Sequence, residues 1–361
     1  MKKILLVCTS NIALNGVTSV IMNYVKRTYK DVSYDFLLCN KVDPDLLGEL
    51  EKMGEDVYMP PFSRVKHPIK YYVWLKRFLR GKKYDCLHIH GNSAIMYIEI
   101  RAAKIVGIET RIAHCHSSNT TSMAYRILHK LLKRKLNRAI THAIACSDVA
   151  GKWIFTRKYE VLANGIDVRR FMFSQETRDR YRRLLNFEDK LVVGHVGYME
   201  TVKNHVFLLN VARKITETNK KVCFLLVGDG SLRGDIEKHI LEYNLSEFVT
   251  MVGKRSDVAE LYQCMDAFVL PSLYEGLPVT MIEAQASGLP CIISDKVTRE
   301  ACLTDQVEYL GIDDSDHDKW CELILKISSD SQKRVDKNRI IALSKFNIDS
   351  NVETLLSLYQ I

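Results

Sequence analysis

Residues 249–293 read VTMVGKRSDVAELYQCMDAFVLPSLYEGLPVTMIEAQASGLPCII. Three short apolar runs, 249–252, 267–270 and 291–293, are separated by segments long enough for a helix. Runs of this length without polar alternation read as buried strands. Strands alternating with helices give a parallel sheet with helices on both faces. The last helix of the stretch is well punctuated. Pro278 suits its first turn, where a missing N–H is harmless. Gly288 stands as its C-terminal cap, with Pro290 just beyond.

The same alternation extends in both directions. Runs at 191–196 and 222–227 precede the stretch, behind a polar gap at 174–190 rich in Arg and Glu. Further upstream, strand candidates at 4–8, 34–39, 86–90, 111–115, 143–146 and 161–163 are separated by amphipathic segments such as 19–28, 69–79 and 125–136. Two such series, in a chain of 361 residues, predict two doubly wound Rossmann-like α/β domains. Sheets of this kind bind ligands beyond the carboxyl ends of their strands. Two domains facing each other would therefore line a cleft with strand-end loops. Those loops hold the unusual residues: NIALNGVTSV, HCHSSN and ANGID in the first half, then GYMETVKNH, GDGS, GKRSD and PSLYEG in the second.

Composition narrows the class. Hydrophobic residues make up 47% and charged residues 26%, an ordinary globular balance. Ten cysteines occur without a C-x-x-C pair, and Cys8, Cys86, Cys223 and Cys291 sit in apolar runs, as reduced structural thiols of a cytosolic protein do. The opening MKKILLVCTS is too short an apolar run for a signal peptide and reads as the first strand. No stretch approaches the roughly 18 apolar residues of a membrane span. Residues 1–170 hold 29 Lys and Arg against 14 Asp and Glu, a balance of +15, and the remainder is at −6. A basic half faces either an anionic surface or merely solvent.

Glu275 lies in the loop ahead of the punctuated helix, and Glu283 one to two turns inside it. The free amides and dipole of a helix N-terminus attract a phosphate. Carboxylates on either side cannot bind that phosphate, but they can accept hydrogen bonds from hydroxyls flanking it. A nucleoside-diphosphate sugar has that layout, with ribose hydroxyls, pyrophosphate and sugar hydroxyls in sequence.

The E-x7-E pair in its Gly/Pro setting resembles the retaining GT-B glycosyltransferases of family 4 (glycosyl transferases group 1), which include capsule and exopolysaccharide enzymes. The resemblance runs along nearly the whole chain through NGVTSVIMNY, IAHCHSSN, ANGID with Phe171, GHVGYMETVKNHVFLL and VGDGSLR. It implies that Glu275 contacts the transferred sugar, Glu283 holds the ribose diol, Lys203 neutralises the diphosphate, and His116 lies near the reacting carbon. Gly16, Gly276, Leu277, Pro278, Asn204, Tyr198, Gly253 and Arg255 fall in the segments that line the donor. It also implies that no metal or other cofactor is needed, because cations and a helix N-terminus stabilise the leaving diphosphate. Domain boundaries are expected at 170/171 and 346/347, with residues 347–361 a helix packing back on the N-terminal domain.

Two positions depart from the family. Tyr198 stands where an arginine beside the phosphates is usual, with Lys254 or Arg255 as candidate replacements, and Asn15 replaces the first glycine of the N-terminal turn. His88, His90 and His114 read as strand-packing residues. A metal at His114 and His116 finds no completing carboxylate or cysteine. VGDGS is not a dinucleotide fingerprint, and a sugar epimerase would leave ANGID and E-x7-E unexplained. The basic segments VKHPIKYYVWLKRFLRGKK and RILHKLLKRKLNR suit an anionic membrane, or else their apolar residues are core; nucleic acid lacks a recognition motif. The expected activity is retaining transfer of a hexose or N-acetylhexosamine from a nucleotide sugar, UDP-linked, to a polyprenyl-diphosphate-linked saccharide, by a cytoplasmic protein peripheral on the inner membrane face. The alternative is a non-catalytic partner or chaperone of an active transferase.

Overall fold

The computed structural model describes residues 1–361 except 11–15, 54–55, 117–122, 276, 328–330 and 361. It divides into two compact units, one of Met1–Gly165 with Ile348–Ile361 and the other of Ile166–Asn347. The first boundary thus falls five residues before the expected position, inside ANGID. Ile166 bridges Asn347 and donates its N–H to the Phe346 carbonyl at 2.8 Å, and Phe171 meets Tyr262 edge-on at 5.9 Å. Residues 166–170 are therefore anchored in the second unit. The second boundary lies one residue later than expected.

In the first unit the strands are β1 (Lys2–Cys8), β2 (Val32–Leu38), β3 (Asp56–Tyr58), β4 (Cys86–Gly91), β5 (Thr110–Cys115), β6 (His142–Ala145) and β7 (Glu160–Val161). The helices are α1 (Gly16–Thr28), α2 (Pro44–Met53), α3 (Pro68–Arg80), α4 (Tyr97–Val106), α5 (Met123–Ala139) and α6 (Asp148–Ile154). Among the described residues the sheet order is β3-β2-β1-β4-β5-β6-β7, all parallel. Alternate side chains leave opposite faces of a strand, and the core divides accordingly. Leu5, Val7, Leu87 and Ile89 pack against α3 to α6. Ile4, Leu6, Cys8 and Cys86 pack against α1, α2 and the C-terminal segment, which contributes Ile348, Leu355 and Tyr359.

The two basic helices differ in what they bury. On α3, Tyr71, Leu75 and Leu79 are buried, and Tyr72, Trp74 and Phe78 pack on that core, so its aromatic residues are structural. On α5 the inward face is His129, Leu136 and Asn137, while Met123, Ile127, Leu128 and Leu131 are left exposed.

The second unit has α7 (Gln175–Leu184), β8 (Leu191–Val196), α8 (His205–Thr218), β9 (Val222–Val227), α9 (Arg233–Glu242), β10 (Val249–Gly253), α10 (Val258–Cys264), β11 (Ala267–Leu270), α11 (Val279–Ala286), β12 (Cys291–Ser294), β13 (Val307–Leu310), α12 (His317–Lys326) and α13 (Ser331–Ala342). Helix α14 (Ile348–Leu358) then returns to the first unit. The described strands run β10-β9-β8-β11-β12-β13, again all parallel. The segment read as a polar gap is largely the helix α7. Its inward residues are arginines: Arg178 and Arg182 are buried and both grip Asp266, which precedes β11. Arg334 of α13 donates to the carbonyls of Tyr262, Gln263, Met265 and Ser287. Strands β3 and β13 were not expected from the sequence; they are short edges with no wholly buried residue.

Candidate active site

Lys203 and Glu275 meet. Lys203 ends a 3-10 turn, Thr201–Lys203, in the loop after β8, and Glu275 lies in the loop after β11. The Leu273 N–H donates to the Val202 carbonyl at 2.8 Å and ties the two loops together. Lys203 Nζ then donates to Glu275 Oε1, which also accepts from Ser272 Oγ at 3.3 Å. Both side chains are mostly enclosed, with 13% and 19% exposure. Glycines make the approach possible. A Cβ at Gly197 would stand 3.0 Å from Lys203 Cε, and one at Gly228, whose φ is +138°, would stand 2.0 Å from the Gly197 carbonyl oxygen. Gly228 has no room for a side chain, and at Gly197 one would fit only if Lys203 gave way, so the GDG turn and the β8 loop pack backbone to backbone.

Glu283 sits in the second turn of α11 and is partly buried. Tyr262 OH donates to its Oε2 at 3.1 Å and to the Thr280 carbonyl at 3.1 Å. Burial pushes the Glu283 carboxyl up from its ordinary 4.5 to about 7, against the opposing pull of the Tyr262 hydrogen bond and the Arg170 charge. Between those two values the folded chain holds a proton that the unfolded chain has released, so this group's contribution to stability falls as pH rises. Glu283→Gln is expected to flatten that part of the stability-versus-pH curve, measured by chemical unfolding across the window.

The other donor-side positions are spread over neighbouring loops. Asn204 adopts a left-handed φ of 54° and caps α8. Pro278 is the N-cap of α11 rather than its first residue, and Leu277 before it is half-buried. Gly253 ends β10 with a φ of +68°, and Arg233 Nη1 is 3.4 Å from where its Cβ would be. Tyr198 is 39% exposed. Arg255, offered as compensation for it, is clasped by Asp257 through Nε at 2.7 Å and Nη2 at 2.6 Å. Gly276 and the turn 11–15 lie outside the described residues; Gly16 is the first residue of α1.

His116 belongs to the first unit and follows β5. It is 8% exposed, its Nε2 is 2.8 Å from His90 Nδ1, and burial depresses its pKa to about 4, so the ring is neutral. Burial likewise lowers the pKa of His88, to about 3, and those of His90 and His114.

Residues 14–170 match the model of Glycosyltransferase Family 4, and residues 177–341 that of Glycosyl transferases group 1. EpsF of Bacillus subtilis, assigned as a glycosyltransferase, is 30% identical over 360 residues, spanning 96% of this chain and 93% of that protein. The chain is a family 4 glycosyltransferase. The UDP-Gal:alpha-D-GlcNAc-diphosphoundecaprenol alpha-1,3-galactosyltransferase of Escherichia coli is 25% identical to this glycosyltransferase over 343 residues, 90% of this chain and 88% of that protein. Anabaena HepE, crystallised with UDP, matches it with a TM-score of 0.81 at 16% identity over 100% of both chains. The glycosyltransferase therefore has the GT-B fold.

Several neighbours of these side chains were not anticipated. Ser272 was visible in PSLYEG, but its bond to Glu275 depends on how the loop folds. Tyr262, 21 residues before Glu283, gives no local signal. His195 and His205 lie near Lys203 as buried rings 4.8 Å apart, and burial lowers the pKa of both. They leave the ammonium in this glycosyltransferase beside neutral groups.

Proposed function

We propose that this glycosyltransferase transfers a hexose or N-acetylhexosamine, with retention, from a UDP-sugar to a polyprenyl-diphosphate-linked saccharide in capsule, exopolysaccharide or O-antigen-type synthesis. The observation that carries this reading is the meeting of Lys203 and Glu275 beyond the ends of β8 and β11, beside α11. Lys203 and the α11 amides neutralise the diphosphate as the sugar's C1–O bond breaks. Glu275 accepts from sugar hydroxyls and Glu283 from the ribose diol, and His116 is the residue that the family resemblance assigns to the reacting carbon. The acceptor oxygen attacks from the face the diphosphate leaves, and a departing phosphate oxygen takes its proton. The diphosphate needs no metal partner. The solved HepE complexes with UDP and with UDP-glucose and the galactosyltransferase relative with its lipid-linked acceptor support the donor and acceptor classes.

The test is a panel of nucleotide sugars without metal or acceptor, read as thermal stabilisation and then slow donor hydrolysis. A donor at a hundred times its dissociation constant adds about 2.7 kcal/mol to the native state. Stabilisation by a UDP-sugar, lost in Glu283→Ala, is the expected result. Failure of every nucleotide to bind would favour the non-catalytic partner. Ribose hydroxyls favour the charged Glu283, so donor binding is expected to tighten as pH rises through about 7. Calorimetry in buffers of different ionisation enthalpy would register the released proton, and Glu283→Gln would abolish it.

A lipid-linked acceptor supports a position on the inner face of the cell membrane, with the first half of α5 as the proposed contact. Met123, Ile127 and Leu131 are 70%, 56% and 66% exposed, with Lys130, Arg134 and Lys135 also exposed beside them. Apolar residues among cations suit an anionic bilayer surface. Among the described residues no helix is long and apolar enough to cross a membrane. The double change Ile127→Ser, Leu131→Ser is expected to weaken binding to phosphatidylglycerol vesicles by on the order of tenfold or more, with UDP-sugar binding unchanged. Equal vesicle binding would remove α5 from the interface.

A further inference from the structure

We propose that His88, His90 and His114 form a buried binding site for a divalent transition-metal ion of the zinc class, lying wholly in the first unit. Strands β4 and β5 are parallel neighbours with His90 opposite His114 in register. His88 lies two residues before His90, so all three side chains leave the same face of the sheet. They are 1%, 3% and 1% exposed. One ring nitrogen from each can be chosen so that all three lie within 4.8 Å of one another.

The hydrogen bonding of the three rings is that of ligands awaiting an ion. His88 Nδ1 is 2.7 Å from Tyr359 OH, and His90 Nδ1 is 2.8 Å from His116 Nε2. Among the described residues, the Nε2 atoms of both rings and both nitrogens of His114 are buried without a partner. Buried polar atoms are nearly always satisfied, and several orphaned nitrogens on adjacent rings call for a common partner. Metal-bound histidines are oriented by a hydrogen bond at the other ring nitrogen, as Tyr359 and His116 provide here. Neutral imidazole is the ligating form.

A small cavity adjoins all three rings, bordered also by Leu6, Tyr24, Tyr34 and Tyr359, and among the described residues no lysine or arginine lines it. A water or hydroxide there would complete four-coordination. Three imidazoles with one open position suit zinc, or cobalt as its spectroscopic substitute. Bonds of about 2.0–2.1 Å require the nitrogens to close to roughly 3.4 Å, a movement of the rings about their own bonds. Bound metal would fasten the C-terminal segment through Tyr359 and His88, and orient His116 through His90.

The experiment uses the full chain without a histidine tag, dialysed against chelator and titrated with cobalt(II). One cobalt per chain is expected, with strong ligand-field absorption of a nitrogen-bound ion, displacement by zinc and a raised Tm. His114→Leu should lose the absorption and the Tm increment while keeping its circular dichroism, and His239→Ala, on α9, should keep both. If His114→Leu does not fold, X-ray absorption of the zinc-loaded native chain decides: a first shell with three imidazole nitrogens supports the site. A first shell without imidazole, no binding by the native chain at micromolar cobalt, or undiminished binding in a folded His114→Leu overturns it.

Discussion

Lys203→Ala is expected to lower kcat/KM by about 10²–10³-fold, the range seen when a preorganised group facing developing charge is deleted. The leaving diphosphate gathers negative charge as the glycosidic bond breaks, and the arginine usual at position 198 is a tyrosine here. Of the arginines in these loops, Arg255 is engaged by Asp257, and Arg233 by Glu237 at 2.8 Å. The stem of Lys203 lies against Gly197, so its ammonium is placed before the donor arrives. On the proposed reading, donor binding would exchange the Glu275 carboxylate for phosphate oxygens, or share the ammonium between them. Lys203→Arg should recover part of the rate, since charge is kept while the point geometry changes. A loss of less than tenfold in Lys203→Ala, with the protein folded, would take Lys203 out of the leaving-group site.

Asp266→Ala should destabilise the second unit by about 3–5 kcal/mol, because it strands buried charge. Asp266 is 6% exposed and accepts from Arg178, from Arg182 at 3.0 Å and from the Val192 N–H at 2.8 Å. Without it, among the described residues, two guanidinium groups keep only carbonyl partners, at Gln263, Met265, Cys264, Glu188 and Lys190. The grip of α7 on the start of β8 and β11 is weakened with it. For a unit of this size the change corresponds to a fall of about 10 °C in its melting transition, measured by calorimetry on the full chain. A shift of less than about 2 °C would mean that the arginines find equal partners elsewhere.

The sheets were legible because their strands are local facts. The run at 222–227 is wholly buried in the structure, and an apolar run bounded by turns announces itself. Edges β3 and β13 did not, since strands without a wholly buried residue leave no such run. Helix α7 was hidden for a related reason: it turns arginines inward, and only Asp266, more than 80 residues away, makes those arginines interior residues.

The sequence by itself determined two parallel α/β units and the family, and it named the candidate site residues. Apolar periodicity, Gly/Pro punctuation and the spacing of Glu275 and Glu283 are all written within a few dozen residues. Only the tertiary structure decided that Lys203 meets Glu275, that Tyr262 holds Glu283, that the aromatic residues of α3 are core while Met123, Ile127 and Leu131 of α5 are exposed, and that three histidines share one buried place. Those outcomes depend on strand register and on backbone bonds between distant loops, such as Leu273 to Val202. Register is fixed by the packing of the whole unit, and no short stretch of sequence carries it.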